Sequence, residues 1–119
     1  MRFTTPLRMK PTGKTRWGRP EYRLTAPLIF EDIELGIYWY VPAKFDTDLA
    51  STPWGFHWLL AQWPEPAVLH DWLCQMGYCS RFYTDASFRE VMRAVGVPRW
   101  RRVLAYYGVR IAAIVRGKR

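Results

Sequence analysis

The sequence predicts an α+β fold: a small antiparallel β-hairpin or sheet followed by about four helices, two of them an antiparallel pair. Three observations carry this. An aromatic and β-branched stretch, "IYWYVPAKF" (37–45), lies in the first half of the chain. From residue 51 onward apolar residues recur at helical spacing between capping and stop residues. Half of the 119 residues are apolar, enough for one core. A single α+β domain over 21–119 is therefore expected, preceded by a basic arm or irregular segment over 1–20.

Each element follows from its residues. The first twenty residues hold three prolines, two glycines and few core candidates beyond Phe3, Leu7 and Trp17, hence the arm. "EYRLTAPLIF" (21–30) has extended character, "EDIELG" (31–36) reads as a connector, and the aromatic stretch returns as the second strand, with Pro42 near its end. "STPWGFHWLLAQW" (51–63) opens a first helix, with Ser51 or Thr52 as N-cap and Pro53 at the first helical position. "PEPAVLHDWLCQMG" (64–77) is a second, closed by Gly77. "SRFYTDASFREVMRAVG" (80–96) is a third, capped by Ser80 and stopped near Gly96. "PRWRRVLAYYGVRIAAIVRGKR" (98–119) is the fourth. On it Trp100, Val103, Leu104, Tyr107, Ile111, Ile114 and Val115 form one stripe. That stripe is expected to be a packing face, with a membrane-binding face as the alternative.

The formal net charge of +8 is unevenly placed. Residues 1–23 carry seven basic side chains and one acid, residues 24–98 four and nine, and residues 99–119 seven and none. Two basic ends around an acidic middle suit a polyanionic partner, nucleic acid, an anionic lipid surface or an acidic protein neighbour, or simply a solvated surface. "MRFTTPLRMKPTGKTRW" contains no apolar signal region, and the apolar run Val103–Val115 is broken by Arg110 and falls short of the ~20 residues of a bilayer span. A cytoplasmic product is expected. Two cysteines, Cys74 and Cys79, are too few for a disulfide framework and are expected as free thiols. No phosphate-binding glycine loop or dinucleotide fingerprint is present.

The candidate site comes from the second and third helices. At 100° per residue Val68, Leu69, Trp72, Leu73 and Met76 share one face of the second helix. Ala67, His70, Asp71 and Cys74 share the other, with His70 and Cys74 stacked one turn apart. On the third helix Asp85 lies on the apolar side with Phe88, Met92 and Val95. An inward carboxylate needs a partner, and the short "MGYCS" connection makes His70 the nearest donor on the facing helix. A carboxylate behind an imidazole fixes its tautomer and supports its basicity. His70 and Asp85 are therefore the candidate catalytic pair, and a structural tie between two helices is the competing role. Asp71, beside the histidine, and Asp48, in "FDTDLASTP", are candidate oxygen ligands for a hard divalent cation such as calcium. Asp46 and Asp48 are equally ordinary turn and cap residues. His70, Cys74 and Cys79 offer three of the four ligands of a structural zinc site.

"YVPAKFDTDLASTPW", "AVLHDWLC" and "SRFYTDASFREVMRAVGVPRWRR" resemble, in order and spacing, the motifs of the phage and prophage family called domain of unknown function 1353, over roughly residues 21–110. That resemblance implies a phage or prophage product, in the host cytoplasm or carried with the virion, and brings no established activity. "HD" at 70–71 with Asp85 on the next helix is also similar to the active-site helices of phospholipase A2. This second resemblance implies His70 as general base, Asp71 as calcium ligand and Asp85 as the acid orienting the histidine, for hydrolysis of a lipid ester. The tyrosine usual four residues after the histidine is Cys74 here, and the glycine-rich calcium loop is absent. The other class of function is a non-catalytic virion or tail component, or a factor binding virion proteins or nucleic acid through the basic termini.

Overall fold

The structure is a computed structural model and describes residues 2–16, 19–32, 36–47, 62–77 and 80–117. Its described elements are six strands and then three helices, an α+β chain as expected. The contacts divide it into two compact units, Met1–Leu49 and Ala50–Arg119.

The first unit holds two antiparallel sheets of three strands, ordered β1-β4-β5 and β2-β3-β6. These are β1 (Arg2–Phe3), β2 (Met9–Arg16), β3 (Arg19–Leu24), β4 (Leu28–Asp32), β5 (Ile37–Val41) and β6 (Asp46–Thr47). The expected hairpin is β4–β5, in register from Leu28↔Val41 to Asp32↔Ile37, and it ends one residue before Pro42. Along β4 Leu28, Phe30 and Asp32 are buried and the residues between them less so, the two-residue period of a strand with one buried face. Phe30 packs edge-on to Phe3, with ring centroids 4.8 Å apart. Asp46, weighed as a turn residue, lies in β6 opposite Arg23, and the Arg23 guanidinium donates to both its carboxylate oxygens, at 2.7 and 3.1 Å.

The basic arm expected over 1–20 is corrected here: it carries β1 and β2 and belongs to the first unit. β2, "MKPTGKTR", offers little apolar alternation, so its pairing with β3 rests on backbone hydrogen bonds that a hydropathy pattern does not register. Its Pro11 is tolerated because β2 is the edge strand of its sheet.

The second unit contains α1 (Pro64–Met76), α2 (Arg81–Ala94) and α3 (Arg99–Val115). About four helices were expected; the additional one, over 51–63, falls almost wholly outside the described residues. Pro64 starts α1 where a missing N–H is harmless. Gly77 ends it at φ 64°, its N–H donating to the Leu73 carbonyl at 3.2 Å. A Cβ at Gly77 would meet nothing within 4 Å. Gly77→Ala should therefore lose only the left-handed backbone preference, about 1 kcal/mol in thermal unfolding. The Ser80 hydroxyl caps α2 by accepting from the Tyr83 N–H at 3.2 Å. Gly96, at φ 88°, closes α2, and the Val97 N–H reaches back to the Met92 carbonyl at 3.0 Å.

Ala67, Phe88, Met92, Val97, Ala105 and Val109 form the core of this unit. Ala67 of α1 meets Phe88 and Met92 of α2 while His70 meets Asp85, so the two helices run antiparallel. The packing face expected for α3 is corrected. Its buried residues are Ala105, Gly108, Val109, Ala112 and Ala113, and the stripe from Trp100 to Val115 is exposed. Small side chains let a helix axis approach its neighbours closely, and hydropathy ranks them below the larger residues opposite. Among the described residues no helix is long and apolar enough to cross a membrane.

Candidate active site

Asp85 is the centre of the helical unit and is fully buried. Its Oδ1 accepts from His70 Nε2 of α1 at 2.6 Å and from Arg81 Nε, one turn earlier on α2, at 2.9 Å. Its Oδ2 accepts from Arg110 Nη1 of α3 at 3.0 Å. One carboxylate thus ties three helices. The Arg110 guanidinium also lies over the Phe82 ring, 5.1 Å from its centroid.

The pair expected between His70 and Asp85 therefore forms. Arg81 and Arg110 were not anticipated. Arg81 stands at the i−4 position of Asp85, a spacing that joins side chains on a helix. Arg110 is the charge that breaks the apolar run of α3. Both signals are in the sequence, but neither says which carboxylate the arginine meets.

Electrostatics fix the state of the site. Burial alone pushes the Asp85 carboxyl up, but hydrogen bonds from His70 and Arg81, with the Arg81 charge, hold it below the usual carboxylate range. Burial pushes His70 below 6.5, and Arg81 adds to that; the hydrogen bond to Asp85 opposes the shift without reversing it. His70 is thus neutral at pH 7. Because ionised Asp85 can only accept, the Nε2–H belongs to that bond and Nδ1 keeps its lone pair. The ring is 4% exposed. Phe88 packs on it at 4.6 Å between centroids, and Cys74 Sγ lies 3.8 Å from Nδ1 and 3.7 Å from Nε2. Cys74 is a partly exposed thiol outside any disulfide, as expected, while Cys79 lies outside the described residues.

The metal expectation divides. His70, Cys74 and Asp85 bring one ligand atom each within 4.8 Å of one another, a group that could hold a metal ion. These are not the residues expected. Asp71 is buried, accepts from Gln75 Nε2 at 3.2 Å and stands outside that group. Asp48 lies outside the described residues. A calcium ion takes six to eight oxygens. The donors here include a nitrogen and a sulfur, and both Asp85 oxygens are already held by cationic or imidazole donors, so they do not fit calcium.

The profile of the family described as "Protein of unknown function (DUF1353)" matches residues 22–109. The chain belongs to this family. The match takes in both helices of the His70–Asp85 pair and reaches α3 up to the residue before Arg110. The DUF1353 chain is also 32% identical over 97 residues to the "Uncharacterized protein y4jT" of Sinorhizobium fredii (strain NBRC 101917 / NGR234). That alignment covers 76% of this chain and 28% of the relative, so the DUF1353 chain spans less than a third of that protein's length. No solved structure matches it.

Proposed function

We propose that the DUF1353 chain is a phage or prophage hydrolase in which His70 acts as general base on an ester, in particular a lipid ester. The observation that carries this is the 2.6 Å bond from His70 Nε2 to Asp85, which fixes the tautomer and leaves Nδ1 an acceptor whose neighbour is the weakly donating Cys74 thiol, 3.8 Å away. In the reaction Nδ1 takes a proton from water and the water oxygen attacks the ester carbonyl carbon. The carbon–oxygen bond to the alcohol then breaks, and the imidazolium returns its proton to the departing alkoxide. Asp85 stays ionised throughout and supports the imidazolium. His70 titrates below 6.5, so it is ready as a base at neutral pH. Substrate would approach past Cys74, the partly exposed neighbour of the ring. No step runs through calcium, because the donors do not suit it.

A second role is favoured by a specific observation. Asp85 is wholly buried with three donors from three helices, and the ring is 4% exposed. In that case the network is a structural tie in a non-catalytic virion component or partner-binding factor. The test is release of fatty acid from a dispersed phospholipid by the purified chain, with and without chelator. Hydrolysis predicts release that chelator leaves unchanged and that His70→Gln abolishes. No release, or equal release by His70→Gln, rejects the enzyme and leaves the structural tie.

A further inference from the structure

The exposed face of α3 remains unaccounted for by either role. Trp100, Leu104, Tyr107, Ile111, Ile114 and Val115 are each between 46% and 80% exposed. They fall on one stripe about 100° wide at the helical period. The opposite face is committed to the core through Ala105, Val109, Ala112 and Ala113, so α3 cannot turn its large residues inward without losing that packing. Contiguous apolar surface of this kind marks a place where something docks.

Charge selects the occupant. Residues 99–119 carry seven basic side chains and no acid. Arg99 and Arg116 are exposed near the two ends of α3, and Arg101 stacks on Trp100 at 4.6 Å. A second copy of the chain would bring two such cationic segments together with no carboxylate between them. A nucleic acid would meet the charge but leave Leu104, Ile111, Ile114 and Val115 against phosphate and sugar. An anionic lipid surface meets both halves of the pattern: acyl chains for the stripe, head groups for the arginines, and an interfacial depth that suits Trp100 and Tyr107. At 17 residues, with four arginines in its span, α3 would lie along such a surface and not through it.

We infer that α3 is a docking surface for an anionic membrane. The inference does not depend on hydrolysis, because vesicle binding and ester release are read separately and either can fail alone. The experiment is flotation of the full chain with vesicles of phosphatidylcholine alone or mixed with phosphatidylglycerol. The chain should float with the mixed vesicles, poorly with the neutral ones, and less as salt rises. Leu104→Ser with Ile111→Ser should weaken partitioning more than about tenfold. Arg99→Gln and Arg116→Gln should each weaken it about fivefold. These positions are exposed, and circular dichroism reports whether the variants keep their helices. Should the apolar pair misfold, quenching by bromine-labelled acyl chains, compared between the natural chain and Trp100→Phe, reads insertion directly. A chain that stays down with anionic vesicles overturns the inference. So does binding that Leu104→Ser and Ile111→Ser leave intact, or a dimer in sedimentation that those substitutions dissolve.

Discussion

Asp85→Asn is expected to lower the stability of the helical unit by roughly 3 to 5 kcal/mol, the range for breaking a buried ion pair from one side. The carboxylate accepts from His70, Arg81 and Arg110 with no water contact. An asparagine keeps one acceptor oxygen and turns an NH₂ group toward the remaining donors, so donor faces donor. The net charge left behind is that of two guanidiniums, 14% and 12% exposed. Arg110→Met should be milder: it strips Oδ2 of its donor, but Oδ1 keeps His70 and Arg81, and the Arg81 guanidinium still balances the carboxylate charge. Denaturant unfolding followed by far-ultraviolet circular dichroism measures both variants. A loss below about 1 kcal/mol for Asp85→Asn would mean that the three contacts are not the tie described.

His70→Gln is expected to reduce ester release by about 10²- to 10⁴-fold, the contribution of a positioned general base. Its effect on stability should be far smaller, since the glutamine amide can donate to Asp85 Oδ1 in place of the ring. That separation is what a purely structural histidine would not produce. The pH dependence follows from the same shift. Native His70 binds its proton below 6.5 while the unfolded chain binds it near 6.5. The unfolded state thus holds more protons in that interval, and stability falls as pH drops from about 7 toward 5. Asp85, held below its usual 3.8, adds a further loss only in stronger acid, as pH falls toward its native value. Natural chain and His70→Gln, unfolded at pH about 7 and about 5, should differ in slope, with the variant flatter. Equal slopes would place the titration elsewhere. Activity should fall along an acid limb that also lies below 6.5.

Much of this arrangement could be read from the residues. The ends of α1 and α2 follow from Pro64, Gly77 and Ser80, whose backbone or capping chemistry is local. The His70–Asp85 pair follows from an inward acid, a short connection and one available donor. Three things were hidden. β2 is polar and carries Pro11 and Gly13, so its strand character lies in its partner and not in its own side chains. α3 packs through alanine and glycine, so periodicity found the right helix and the wrong face. Arg110 reaches Asp85 across 25 positions, and a distance of that kind depends on how the helices fold back, which no local pattern encodes.

The spacing of Asp85's partners has a consequence for how the chain comes together. They stand 4, 15 and 25 positions away, all within residues 50–119 and none on the strands. Contacts at short separation close with the least loss of chain entropy. During synthesis His70 and Arg81 emerge before the acid they share, and Arg110 only afterwards. The first two helices can therefore neutralise the carboxylate while the rest is still in the ribosome, leaving the last helix to lock a bundle already half built.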